Sequence, residues 1–506
     1  LCALAWAPAL ARAQGAPGVI TSAAELAPAN ADMVIVVDRA SEWRTQALGE
    51  PLWRLTGGLL DAADSTKAWE TLAGLLGMTQ EAAFDALMGQ RALFVQRSGA
   101  GEQRSTWAIA SSVDRATETA LRERLKPAPR AFARGLTVMT LEDGRFLLAV
   151  VRTGDASTLV LGPADAPEMF EELAPRLGKP ARGGIGDEPV ATDLRQLERV
   201  GGGARALALV RVAKNEPGWV GFLATPSGRD LNVELFARTP ELAAASAKVE
   251  PWSRDAFDDI QHDAFFAAME WNLAAEDQWT ALGALRQDLP FLRNPFERPD
   301  LLGLRTTLVL RPSTTALGAL VVSVETSDTV ALAPVGDGVI ARALESFWPA
   351  QGGAGVEEAR LDMQGEFPRA MREVDLSSRI GALLPMVFDQ GPTLAWSYVP
   401  GGSVREAGGW WTIGLDRRAA EQVSERLTSE RRRGERPAPW IALGVARPAL
   451  LLAELDRRKF PVPPQAARFF EALRQVEQVS WELLRVTDGS ARGRVTVRLL
   501  ERPGAK

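Results

Sequence analysis

Cysteine is almost missing from this chain, and the single one, Cys2, sits in an apolar amino-terminal segment. With that segment removed, disulfides, cysteine-ligated zinc, iron–sulfur clusters and thiolate nucleophiles are all excluded, because each needs a thiolate. Histidine is equally scarce. His262 is the only one, which excludes H-E-x-x-H centres and other sites built on two imidazoles. Beyond the amino end no stretch reaches the roughly 18 to 20 apolar residues that a membrane-spanning helix needs. Net charge is also small, −6 with a pI near 5.4, which argues against a nucleic-acid binder. Catalytic signatures are missing too. There is no G-x-S-x-G, and Gly401-Gly402-Ser403-Val404-Arg405 lacks the second glycine of a nucleophile elbow. The glycine-rich stretches at 183–186, 201–203 and 352–355 have neither a P-loop lysine nor G-x-G-x-x-G spacing.

What is present begins with an export signature. Residues 1 to 13 read as the end of a signal peptide, an apolar run closing on an A-x-A cleavage site at Ala11-Arg12-Ala13, with Gln14 as the new amino terminus. Residues 14 to 24 read as a flexible tail. Export without disulfides points to a periplasmic or secreted protein of a bacterial envelope.

The whole chain is 46% apolar, enough for ordinary cores, and the periodicity beyond the tail predicts an α+β fold of antiparallel sheets with packed helices. Asp32 to Asp38 is a β-branched run that predicts a buried strand. Thr79 caps an expected helix ending at Gly89, and Asp114 caps another that runs to Leu125. Glu142-Asp143-Gly144 between Leu136–Leu141 and Arg145–Val151 is a hairpin signal. Further on, Ala264 to Met269 reads as a strand and Trp271 to Leu285 as a helix or helical turn. Strands are expected at 304–311 and 316–325, and a last hairpin joins Val479–Val486 to Arg494–Leu500. The domain reading is a first α+β domain over 25–245, a linker over 246–258 and a second α+β domain over 259–502. An internal echo links Trp107-Ala108-Ile109 and Asp114-Arg115 to Trp411-Thr412-Ile413 and Asp416-Arg417. It raises the expectation that the two halves are related.

The segment Leu26-Ala27-Pro28-Ala29-Asn30-Ala31-Asp32, followed by an apolar strand and a Trp/Leu-rich helix, resembles exported bacterial proteins grouped as "domain of unknown function 3352". The resemblance rests on Glu25 to Leu55. It implies a large exported α+β protein and supplies no catalytic residues.

Two clusters are candidates for chemistry or binding. Asp255, Asp259 and Asp263 recur every fourth residue with Asp258 and His262 beside them, an arrangement that on a helix could present oxygen and imidazole ligands to a divalent metal. The same residues also fit a solvated acidic turn. Trp396, Tyr398, Trp410 and Trp411 bracket a Gly-Gly loop and could form a ligand or partner surface, or pack in the core. The run Arg431-Arg432-Arg433 reads as a phosphate contact or as a solvated helix end. The expected function is an exported, non-catalytic binding or scaffolding protein with no cofactor, partnered by an envelope protein or an apolar ligand. The alternatives are a metal-assisted hydrolase centred on His262 and a carrier of apolar cargo.

Overall fold

The computed structural model describes residues 23, 26–39, 41–42, 70, 73–74, 76–99, 105–124, 126–127, 137–141, 144–153, 156–178, 184–187, 190–191, 193, 195, 205–211, 218–238, 265–272, 299–312, 319–347, 362–364, 371–375, 393–400, 408–428, 440–459, 467–485 and 490–501. The signal and tail segments through residue 22, the linker, the Asp255–Asp263 cluster with His262, and Arg431–Arg433 lie outside them. No helix among the described residues is long and apolar enough to cross a membrane.

The first strands and helices are β1 (Met33–Asp38), α1 (Gln80–Met88), β2 (Arg91–Arg97), β3 (Thr106–Val113), α2 (Arg115–Arg124), β4 (Lys126–Pro127), β5 (Val138–Leu141), β6 (Phe146–Thr153), β7 (Ala156–Pro163), α3 (Glu168–Gly178), β8 (Ala206–Arg211), β9 (Trp219–Ser227) and β10 (Asp230–Arg238). They are followed by β11 (Ala267–Asn272), β12 (Leu302–Arg311), β13 (Ala319–Thr326), α4 (Thr329–Phe347), β14 (Asp362–Gln364), β15 (Met371–Asp375), β16 (Thr393–Pro400), β17 (Gly409–Gly414), α5 (Arg417–Thr428), β18 (Trp440–Ala446), α6 (Pro448–Arg457), α7 (Ala467–Leu473), β19 (Val476–Arg485) and β20 (Ala491–Leu499). The architecture is α+β and dominated by antiparallel sheet.

Local chemistry explains many boundaries. The Thr79 side chain accepts the Ala82 amide at 3.2 Å and starts α1. Asp114 accepts the Thr117 amide at 2.7 Å ahead of α2, and Asp416 accepts the Ala419 amide at 2.9 Å ahead of α5. Gly144 takes φ +91° in the β5–β6 hairpin, where Leu141 pairs with Phe146, a backbone conformation that favours glycine. The expected helix from Trp271 is corrected at its start: Trp271 lies in β11, paired with Thr306 on one side and Ala442 on the other. The long helix α4 has no counterpart in the sequence reading. Asp328 caps it by accepting the Val330 and Ala331 amides, and it continues through Pro334.

The chain packs as two units. The first comprises residues 1–240, 463–476 and 492–506, and the second residues 241–462 and 477–491. In the first unit the antiparallel order is β10-β9-β8-β1-β2-β3-β7-β6-β5-β4. β1 is central, which is why Val34, Val36 and Val37 are all buried and the strand reads as a continuous apolar run. α3 covers one face, placing Met169, Phe170 and Leu173 against Val36, Leu93, Ala110 and Val160.

In the second unit the order is β19-β18-β11-β12-β13-β17-β16-β15-β14, again antiparallel throughout. Its sheet is covered on both sides. α5 sets Ala419, Val423 and Leu427 against Val309, Val321 and Leu443. On the other face α4 sets Leu332, Ile340 and Leu344 against Trp396, Tyr398 and Trp411.

Candidate functional site

The four rings singled out in the sequence lie on β16 and β17, and strand alternation divides them between the two faces. Trp396 and Tyr398, two residues apart, point toward α4. Trp411 is the cross-strand partner of Tyr398 and stacks on it, with centroids 6.1 Å apart and planes 9° from parallel. Trp410 points to the opposite face, where the Arg305 guanidinium lies 5.0 Å from its ring centroid. All four are core side chains, none more than 5% exposed.

Two of these rings, together with Arg372 of β15, meet a carboxylate on α4. Asp337 Oδ1 accepts from Arg372 Nη1 at 2.7 Å, Trp396 Nε1 at 2.9 Å and the Tyr398 hydroxyl at 3.1 Å. Arg372 also lies 5.1 Å from the centre of the Tyr398 ring. Gly336, one residue before Asp337, makes the approach feasible, since a β-carbon there would collide with the Tyr398 hydroxyl. Burial pushes the Tyr398 phenol upward, and the Asp337 charge and hydrogen bond push it further; Arg372 opposes them without reversing the direction. The phenol therefore stays a neutral donor. The Asp337 side chain keeps 37% of its surface open to solvent.

This arrangement ties the helix to the sheet through one carboxylate that remains partly open to solvent. Asp337 and Arg372 were not singled out in the sequence. The signal available was an aspartate between two glycines, Gly336-Asp337-Gly338, inside an otherwise apolar stretch.

A second carboxylate is held in the first unit. Glu118 on α2, 1% exposed, accepts from Arg122 at 2.7 Å, Arg152 at 2.9 Å and Ser157 at 2.5 Å. Burial pushes its carboxyl up, but the hydrogen bonds from Ser157, Arg152 and Arg122 outweigh that and hold it at about 2. It fastens α2 to β6 and β7. No group of three or more His, Cys, Asp or Glu side chains able to hold a metal occurs among the described residues.

No family model, curated protein or solved structure matches the chain.

Proposed function

We propose that this chain is an exported, non-catalytic binding or scaffolding protein whose recognition surface includes the fixed carboxylate of Asp337. The observation that carries the reading is the saturation of one Asp337 oxygen by three donors while the side chain remains 37% exposed. A carboxylate held this way loses little conformational freedom when it meets a cationic or hydrogen-bonding partner, so less of the contact energy is offset by ordering. Export is supported by the cleavage pattern at Ala11-Arg12-Ala13. The resemblance to the "domain of unknown function 3352" group fits the same setting.

We also propose that the two halves are related copies of one α+β unit. In support, β1 to β9 and β11 to β19 follow the same antiparallel order, strand for strand. Helices also fall in matching gaps, α2 and α4 after the third strand and α3 and α5 after the seventh. This correspondence aligns β3 with β13 and β7 with β17. It therefore differs from the sequence echo, which joined β3 to β17 through two Asp-capped helix starts.

Fractionation of producing cells, followed by passage of an envelope extract over the immobilised chain and its Asp337→Ala variant, tests the functional reading. The expected result is a processed protein outside the cytoplasm and a co-retained partner lost in the variant. An unprocessed cytoplasmic protein, or identical retention by both chains, overturns it.

A further inference from the structure

The matching strand orders allow the two units to be compared row by row across their sheets, and one row differs in kind. In the first unit, Leu223, Leu207, Val36, Leu93, Ala110, Val160 and Ala149 stand opposite one another on seven neighbouring strands. In the second unit the corresponding row is Glu482, Leu443, Glu270, Thr307, Ser323, Thr412 and Ser397. The alignment is anchored independently. Gly162, two residues after Val160, packs against Phe170 of α3, and Gly414, two residues after Thr412, packs against Ala420 of α5.

One unit thus fills the row with aliphatic side chains and the other with two carboxylates, one leucine and four hydroxyls. From β11 to β16 the polar row is no more exposed, since Glu270, Thr307, Ser323 and Thr412 are 0% accessible and Ser397 1%. Ser323 and Thr412 share a hydrogen bond of 2.9 Å, and Ser397 lies 3.4 Å from Ser424 of α5. Directly opposed side chains on one sheet face have β-carbons about 4.5 to 5.5 Å apart, within hydroxyl reach. Burying such groups costs free energy that an aliphatic row avoids. The first unit shows that the strand order accepts the aliphatic row.

The acid itself has moved. Arg91 and Arg305 occupy the same place, opposite Asp38 in the first unit and Asn272 in the second. Arg91 binds Asp38 Oδ1 at 3.0 and 3.2 Å at the end of β1, where the acid is 17% exposed. Arg305 reaches instead two residues inward to Glu270 Oε1, at 2.9 and 3.0 Å. Glu270 Oε2 and Oγ1 of Thr307, the residue directly opposite, are both buried and make no hydrogen bond of normal geometry among the described residues.

We propose that this row holds a buried proton-binding site, in which Glu270 takes a proton from solvent and returns it, and the hydroxyl of Thr307 directly opposite solvates both states. When Glu270 is neutral, its Oε2–H donates to Thr307. When the proton leaves, Thr307 donates back to Oε2, since a hydroxyl carries one donor and two acceptor positions. The charged and titratable groups that face Glu270 from the neighbouring described strands are Arg305 on β12, Glu325 on β13 and, beyond Leu443, Glu482 on β19. Burial raises the Glu270 carboxyl most; Arg305 and the Thr307 hydroxyl lower it, Glu325 raises it, and the balance is upward. The inference rests on the correspondence of strand orders and not on the binding role of Asp337.

Infrared difference spectroscopy of the full chain tests it through the C=O stretch of a neutral carboxyl, which ordinary glutamates have lost by roughly pH 6.5. The wild type is expected to retain one such band that is missing from Glu270→Gln. Thr307→Val, which keeps the carboxyl, should shift the band's frequency by removing its hydrogen-bond partner. Absence of the band in the wild type, or its persistence in Glu270→Gln, overturns the proposal. If Glu270→Gln does not fold, an unmoved band in Thr307→Val overturns it alone.

Discussion

Glu118 shows how a single buried charge can be favourable where its partners are complete. With an ordinary value of 4.5 and a folded value of about 2, the carboxyl binds its proton more readily in the unfolded chain. The stability it contributes is present above about pH 4.5 and is lost as pH falls toward 2. Arg152 and Arg122 are 58% and 38% exposed, so water screens much of their charge attraction. Most of the effect should come from the buried Ser157 bond. Glu118→Gln is expected to cost about 1.5 to 3 kcal/mol near neutral pH, the range for hydrogen bonds to charged groups. It should also flatten the acid limb of a stability profile measured by urea unfolding between pH 2 and 6. An unchanged acid limb would assign that limb to other carboxylates.

Among the elements, those set by short-range chemistry were legible in the sequence. The β-branched run of β1, the Thr79, Asp114 and Asp416 caps and the Gly144 hairpin each appear where their residues point. α4 was not, because Pro334, Gly336 and Gly338 argue locally against a helix, whereas its apolar contacts with Trp396, Tyr398 and Trp411 come from strands more than fifty residues away. The division of the four rings between two faces needed only alternation, but their role needed Asp337, which local pattern does not connect to them. The hydroxyl pair Ser323 and Thr412 belongs to this scale, since it joins β13 to β17 under α5. Ser323→Ala or Thr412→Val alone leaves a buried hydroxyl without its partner and should cost about 1 to 3 kcal/mol. Together they reproduce Ala110 and Val160 of the first unit and should cost less than the sum of the two. A double-mutant cycle by chemical denaturation reads the coupling, and strict additivity would show that the bond contributes nothing.

At the scale of the whole molecule, the sequence revealed an α+β chain but not the shared strand order, since pairing is non-local and an aliphatic row aligned with a hydroxyl row leaves no similarity to detect. What the corresponding places share is physical: Leu207 and Leu443, each 1% exposed, sit in separate cores beside β1 and β11. Truncating either to alanine removes the same atoms from the same place in its sheet and should cost about 2 to 5 kcal/mol. Because the cores are distinct clusters, the loss of protection is expected to stay within one unit. Hydrogen exchange should rise in β1, β2 and β8 for Leu207→Ala, and in β11, β12 and β18 for Leu443→Ala. Equal loss of protection in both sets of strands from either substitution would mean that the chain opens as one cooperative body. In that event a proton taken up at Glu270 would act on the first unit as well as the second.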